Sequence, residues 1–196
     1  MTTRWRWVAI VLVGAILAAG AVGVYMLAGL NDDEGTGKLG SIDNFIPARE
    51  IKPAPLLSFV GEDGQKLTLE KFRGKIVVLN LWATWCTPCI AEMPMLDRLQ
   101  QQLENVGVVV VALSIDRGGP EVVREFFDEH GIEHLGVYVD PTMRAQNDLS
   151  AIALPTTIII DREGNDRGRI VGPAQWDDAE AADLVLSASA PLDEDR

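Results

Sequence analysis

Short apolar runs alternate with amphipathic segments over most of the chain, and this alternation predicts a mixed sheet flanked by helices. Residues 76–81 and 108–113 are almost continuously apolar, as expected of central strands that are covered on both faces. Between them, residues 86–103 carry apolar side chains at spacings of three and four, which predicts a helix. The three segments together predict a strand–helix–strand crossover.

Two hairpins and several shorter elements are predicted around this crossover. Residues 56–60 and 66–69 flank a Gly-Glu-Asp-Gly turn, and strands at 156–160 and 166–171 flank a turn that contains glycine and asparagine. The other predicted elements are a helical turn at 69–72, helices at 121–130 and 176–187, a strand at 137–139 and a short helix within 140–149. Alternating strands and helices that end in a hairpin and a helix indicate the α/β class.

The N-terminal region has a different pattern, which predicts a membrane anchor. Residues 8–30 contain no charged residue, proline, asparagine or glutamine. As a helix, this run would be about 34 Å long, which is enough to cross a bilayer. Arg4 and Arg6 precede the run and an acidic cluster at 32–34 follows it, so we expect the N-terminus in the cytoplasm and the remainder outside. A cleaved signal peptide, with a small-residue site at 19–21, is the alternative.

These patterns divide the chain into four segments. Residues 1–30 are the expected cytoplasmic stub and transmembrane anchor (or signal sequence), 31–50 a flexible linker, 51–190 the folded domain and 191–196 a disordered tail. We therefore expect a single-pass protein of the cytoplasmic membrane. Its C-terminal domain would lie in the periplasm or an equivalent extracytoplasmic space, where disulfides can persist.

The charge balance limits the partners. The chain carries a net charge of −12, and its first 30 residues hold only two charged side chains, Arg4 and Arg6. The acidic remainder argues against binding to nucleic acid or to an anionic membrane surface. It mildly favours basic partners, although an acidic surface kept for solubility explains it equally well.

The chain has only two cysteines, and both lie in Cys86-Thr87-Pro88-Cys89, at the start of the predicted helix 86–103. A helix N-terminus carries partial positive charge and free backbone N–H groups, which stabilise a thiolate at Cys86. Two intervening residues allow Cys89 to attack a mixed disulfide formed at Cys86. The spacing therefore predicts reversible thiol–disulfide exchange.

Other chemistries of a cysteine pair fit less well. A structural zinc site needs four ligands, and the chain offers no second cysteine pair and only His130 and His134. An inert disulfide would close a very small loop and stabilise little. Because soft sulfur selects Cu(I), a copper-binding metallochaperone or holdase remains the alternative function. No flavin or nucleotide motif is present, so we expect no cofactor besides the cysteine pair, no resident metal and an external electron donor.

Three stretches carry a resemblance to a known family: residues 72–89, Glu92-Met93-Pro94 and Leu154-Pro155-Thr156-Thr157. They resemble the membrane-tethered TlpA/ResA-like thiol–disulfide oxidoreductases of the thioredoxin superfamily. The resemblance covers residues 50–190 and implies a thioredoxin-like fold, a mixed central sheet with an N-terminal hairpin. It also implies a central insertion at 118–140, longer than a minimal thioredoxin needs.

The resemblance also assigns roles by position. It implies that Cys86 is the exposed nucleophile and Cys89 the buried resolving thiol. Pro155 matches a cis-proline that faces the disulfide and leaves the backbone of Leu154 free to pair with an extended substrate. The pattern places Trp82 in the core and Trp85 at a partly exposed rim. The residues expected to contact substrate are Trp85, Thr87, Pro88, Leu154 and Pro155.

Two polar positions bear on proton transfer. Thioredoxin has a buried aspartate behind its resolving cysteine, and Asn80 occupies that position here, where an amide cannot accept a proton. The TlpA/ResA-like branch resembles this chain in Glu92, three residues after Cys89. We expect Glu92 to lie near the cysteines and to exchange a proton with them; a solvated surface glutamate is the alternative.

The resemblance implies reduction of protein disulfides during cytochrome c or copper-centre maturation. The substrates would be an apocytochrome c or a copper chaperone, and a membrane thiol transporter would supply electrons. Thr-Pro between the cysteines resembles reductants more than strong oxidants. A peroxidase is disfavoured because Ala83, not threonine, stands three residues before Cys86.

Overall fold

The computed structural model describes residues 40–190 of the chain. The expected transmembrane anchor at 1–30, residues 31–39 of the expected linker and the expected tail at 191–196 lie outside the described residues. Within residues 40–190, none of the helices combines the length and the apolar character needed to span a membrane.

An eight-stranded mixed sheet forms the centre of the described residues. The strands are β1 (Ile46–Pro53), β2 (Ser58–Gly61), β3 (Lys66–Thr68), β4 (Ile76–Trp82), β5 (Val108–Ser114), β6 (Tyr138–Val139), β7 (Thr156–Ile160) and β8 (Asn165–Val171). Their spatial order is β1-β8-β7-β4-β5-β6-β2-β3. β4 pairs in parallel with β5 and antiparallel with β7, and all of its residues are buried. The prediction of a central strand at 76–81 and of a mixed α/β sheet is therefore confirmed.

Residues 40–190 contain four α-helices, of which the first three connect strands and the last follows β8. They are α1 (Thr87–Leu103), α2 (Pro120–His130), α3 (Arg144–Asp148) and α4 (Ala179–Ala188), with short 3₁₀ turns at Ile42–Asn44, Leu69–Phe72 and Glu104–Val106. The predicted elements are confirmed to within a few residues. The largest difference is at the last helix, because the carboxylate of Asp178 caps α4 by accepting from Ala181 N–H at 2.8 Å. Trp176, predicted as the first residue of this helix, instead lies before it and is buried.

The prediction of a flexible linker through residue 50 is wrong for residues 46–50. These residues belong to β1, which pairs antiparallel with β8 at the edge of the sheet. Pro47 and Pro53 are compatible with this position because an edge strand leaves one row of backbone groups unpaired, so a missing N–H costs little. β1 is largely exposed, and its sequence lacks the apolar alternation by which the other strands are recognised.

The insertion at 118–140 supplies α2 and β6. β6 pairs in parallel with β5 and antiparallel with β2, so it joins the N-terminal hairpin of β2 and β3 to the rest of the sheet. Phe126 and Phe127 of α2 pack on Trp82, with ring centroids 5.0 and 6.0 Å away. The insertion thus extends the sheet and covers the end of β4 from which the cysteine segment leaves.

Candidate active site

The cysteine pair lies where β4 ends and α1 begins. Cys86 is the N-cap residue of α1, Cys89 lies in its first turn, and the two are joined by a disulfide. No side chain caps the helix at Cys86, so the partial positive charge of the helix N-terminus acts on this sulfur. The geometry predicted from the spacing is confirmed.

The two cysteines differ in exposure less than expected. Cys89 is fully buried, and Cys86 retains 7% of its accessible surface, so the description of Cys86 as exposed is wrong for the oxidised form. The disulfide ties the sulfur of Cys86 to that of the buried Cys89, which limits how far it projects into solvent. Cys86 is still the more accessible of the two.

The segment around Pro155 reaches the same end of the sheet. The Leu154–Pro155 peptide bond is cis, as the resemblance implied. Thr156, the next residue, pairs with Leu81 in the antiparallel ladder between β7 and β4, so Pro155 lies level with the end of β4. Among residues 40–190, neither backbone group of Leu154 has a hydrogen-bond partner. Its N–H and C=O are therefore available to a partner strand.

Exposed apolar side chains occur on both segments that reach this end of the sheet. Trp85 is 63% exposed, whereas Trp82 is fully buried, as the pattern predicted. Thr87 and Pro88 are exposed and Leu154 is half-buried. Ile152, which the sequence analysis did not single out, is 88% exposed in the loop before Pro155. The sequence signal for this position was a large apolar side chain, Ile152, two residues before Leu154 in a predicted loop.

Glu92 is fully buried, so the alternative of a solvated surface glutamate is wrong. Its Oε1 accepts from Asn80 Nδ2 at 2.7 Å, and its Oε2 accepts from Ala174 N and Trp176 Nε1, each at 3.1 Å. Burial raises the pKa of Glu92 to about 7, although these hydrogen bonds act in the opposite direction. Glu92 follows Cys89 by one helical turn, and both side chains are buried in the same part of α1.

A second buried carboxylate, which the sequence analysis missed, fixes the loop before Cys86. Asp116 accepts from Thr84 N–H and Thr84 Oγ1, each at 2.9 Å, and from Ser114 Oγ at 2.7 Å. Thr84 lies between β4 and Cys86, and Asp116 follows β5, the parallel neighbour of β4. Because neighbouring parallel strands end at the same edge of a sheet, the sequence could have predicted that Asp116 lies near Thr84.

We expect Asp116→Ala to lower the free energy of unfolding by about 3 kcal/mol, since it leaves two part-buried donors of Thr84 and the buried hydroxyl of Ser114 without this acceptor. Urea unfolding of the oxidised full-length chain in detergent measures the effect. Asp63→Ala, which removes an exposed carboxylate with one weak contact to Gln65 N–H at 3.4 Å, is the control and should change stability little. An equal loss in both variants would contradict the assignment.

The two histidines are not placed together. His130 stacks on Phe126 with a centroid distance of 3.9 Å, and His134 contacts the carboxylate of Asp97 at 2.9 Å. The hydrogen bond to Asp97 raises the pKa of His134. Within the described residues, no group of three or more His, Cys, Asp or Glu side chains is arranged to hold a metal ion.

The chain is similar to a known protein family and to thiol–disulfide oxidoreductases. The family profile described as Redoxin matches residues 49–186. Thiol-disulfide oxidoreductase ResA of Bacillus cereus is 30% identical over 158 residues, which cover 80% of this chain and 83% of that protein. Thioredoxin-like protein YneN of Bacillus subtilis is 33% identical over 120 residues, covering 61% and 69% respectively. A thiol:disulfide interchange protein of the thioredoxin family from Chlorobium tepidum superimposes with a TM-score of 0.55 at 28% identity, over 73% of this chain and 99% of that chain.

Proposed function

Because the chain belongs to the Redoxin family, as a ResA/TlpA-like member of the thioredoxin superfamily, we propose that it reduces disulfides in other proteins outside the cytoplasm. The observation that carries this proposal is the Cys86–Cys89 disulfide at the N-terminus of α1, one turn before a buried carboxyl group. Dithiol exchange requires a thiolate nucleophile and a group that accepts the proton of the second thiol.

In the first step, the reduced protein attacks its substrate. The Cys86 thiolate attacks one sulfur of a substrate disulfide, a Cys86–substrate disulfide forms, and the other substrate sulfur leaves as a thiolate. The helix N-terminus stabilises the attacking anion before the bond forms. The substrate backbone would pair with Leu154, and its side chains would contact the exposed Trp85, Thr87 and Pro88. The expected contact with Pro155 is corrected, because Pro155 is buried and would position the Leu154 backbone rather than meet the substrate.

In the second step, Cys89 resolves the mixed disulfide. The Cys89 thiol gives its proton to the Glu92 carboxylate and attacks the sulfur of Cys86, which releases the remaining substrate thiolate. A carboxyl group with a pKa of about 7 is partly ionised at neutral pH, so it can accept this proton and later return it to the released thiolate. The products are a reduced substrate and the oxidised Cys86–Cys89 pair.

We infer the cellular setting from the N-terminal sequence. Residues 1–30 would anchor the domain to the outer side of the cytoplasmic membrane, in the periplasm or an equivalent space. A membrane thiol transporter would reduce Cys86–Cys89 again, since the chain has no nucleotide or flavin motif of its own. The substrate would be an apocytochrome c or a copper chaperone, two proteins whose cysteine pairs must be reduced before they bind haem or copper.

A trapping experiment identifies the substrate class. In Cys89→Ala, Cys86 can attack a substrate but nothing resolves the mixed disulfide, so we expect stable adducts with the substrate in cells. Mass spectrometry of proteins that are released from the purified variant by reductant reads out the adducts.

The double variant Cys86→Ser with Cys89→Ala is the control and should release none of them. Recovery of an apocytochrome c or a copper chaperone would support the proposal and select between the two maturation routes. Recovery of neither, from cells that make both, would contradict it.

A further inference from the structure

The surroundings of Glu92 suit only one of its two protonation states. Its carboxylate oxygens accept hydrogen bonds from Asn80 Nδ2, Ala174 N and Trp176 Nε1. Every one of these partners is a donor, which suits an anion. A protonated carboxyl group would have to donate, and a backbone N–H or an indole N–H can never accept.

Asn80 is the only one of these partners that can change from donor to acceptor. Its Nδ2 donates to Glu92 Oε1 at 2.7 Å and to Thr157 Oγ1 at 2.9 Å, whereas its Oδ1 is buried and has no partner among the described residues. No hydrogen bond therefore fixes the oxygen end of this amide. Rotation by half a turn about the last side-chain bond would exchange Oδ1 and Nδ2.

We propose that the Asn80 amide reverses its orientation each time Glu92 gains or loses a proton. With Glu92 ionised, Nδ2 donates to the carboxylate and to Thr157, as the structure shows. With Glu92 protonated, Oδ1 accepts from the carboxyl O–H and from the Thr157 hydroxyl, which rotates from acceptor to donor. Asn80 makes two hydrogen bonds in either orientation, so neither state of Glu92 is left without its partner.

This inference rests on the proposed function, in which Glu92 takes a proton from Cys89 and returns it. It makes Asn80 a positioning residue: the amide carries no proton itself, but it keeps the carboxyl group in one place through both halves of the transfer. The groups around Glu92 on the other elements are neutral. They are Asn80 of β4, the Ala174 backbone and the Trp176 indole of the segment before α4, and Thr157 of β7, which contacts Asn80. On α1 the titratable neighbour is Cys89, which has no thiol proton in the oxidised protein.

Nuclear magnetic resonance of the oxidised full-length chain in detergent tests the reversal. The protein is labelled with ¹⁵N-asparagine and ¹³C-glutamate and titrated across neutral pH. The two Nδ2 protons of Asn80 are assigned by their loss in Asn80→Asp and, independently, in Asn80→Leu. Both are hydrogen-bonded at high pH, so we expect both to move upfield together as pH falls, with the midpoint of the Glu92 carboxyl signal.

The controls separate this inference from the proposed function. Glu92→Gln should remove the pH dependence of the Asn80 signals, and the amide of Asn165, which donates to Asp161 at 3.2 Å, provides an internal reference. If the Glu92 carboxyl titrates but only one Asn80 proton moves, or neither, the amide does not reverse and the inference is wrong. If the Glu92 carboxyl does not titrate near neutral pH, the proton-transfer role in the proposed function fails as well.

Discussion

Replacing Cys86 with serine is expected to abolish disulfide reduction, with a loss in rate of at least about a thousandfold. A serine hydroxyl stays protonated at neutral pH and cannot form the mixed disulfide on which both steps depend. The measurement is the rate at which the reduced full-length chain in detergent opens a fluorescent peptide disulfide, with dithiothreitol as electron donor.

Cys89→Ser separates the two roles assigned to the cysteines. It should retain the first attack and accumulate one equivalent of peptide as a mixed disulfide, but it should lose rapid release of reduced product. If Cys89→Ser failed to form the adduct while Cys86→Ser formed it, the roles of the two cysteines would be reversed. The burial of Cys89 and the residual exposure of Cys86 argue that Cys86 attacks the substrate and Cys89 resolves the adduct.

Replacing Glu92 with glutamine is expected to slow resolution of the mixed disulfide by about a hundredfold, because the proton acceptor for Cys89 is lost. Glutamine has the same shape and can still accept from Ala174 and Trp176, so the fold should be retained. Stopped-flow measurement of product release between pH 5 and 9 provides the readout. The natural protein should show a transition near neutral pH that the variant lacks.

Glu92→Gln is also expected to change how the free energy of unfolding depends on pH. Burial raises the pKa of Glu92 in the folded protein from 4.5 to about 7, so the folded state binds this proton more tightly than the unfolded state. Its contribution to stability is complete below the unfolded value and is lost as pH rises through about 7. The loss corresponds to about 3 kcal/mol in the free energy of unfolding, which Glu92→Gln should remove.

An exposed glutamate provides the matched control for both measurements. Glu125 lies on the solvent side of α2, so Glu125→Gln should leave the rate of resolution and the pH dependence of unfolding unchanged. If Glu92→Gln behaved like Glu125→Gln in the kinetic experiment, Glu92 would be a structural residue and another group would receive the proton.

The parts of the site that follow from local patterns could be predicted from sequence. The apolar residues of β4, the Cys86–Cys89 spacing and the periodicity of α1 each act over a few positions, and together they place the disulfide at the start of a helix. The resemblance added the cis bond before Pro155, which no periodicity could indicate.

The environment of Glu92 could not be read in the same way. Its partners Asn80 and Trp176 lie 12 and 84 residues away in the chain, and the sequence pattern alone allowed either a surface or a buried carboxylate. The sequence predicted Trp176 as the first residue of the last helix. The Asp178 carboxylate instead caps α4 two residues further along the chain, and the Trp176 indole is buried. β1 was missed because an exposed edge strand with two prolines carries little hydrophobic signal.

The reduction potential of the Cys86–Cys89 pair tests the central claim most directly. Equilibration of the full-length chain in detergent with defined ratios of reduced and oxidised dithiothreitol or glutathione gives the value. A protein that reduces disulfides must hold electrons at a low potential, so we expect a value towards that of thioredoxin, about −270 mV. A value near about −120 mV, where strong disulfide-forming oxidants lie, would contradict the claim that this protein is a reductase.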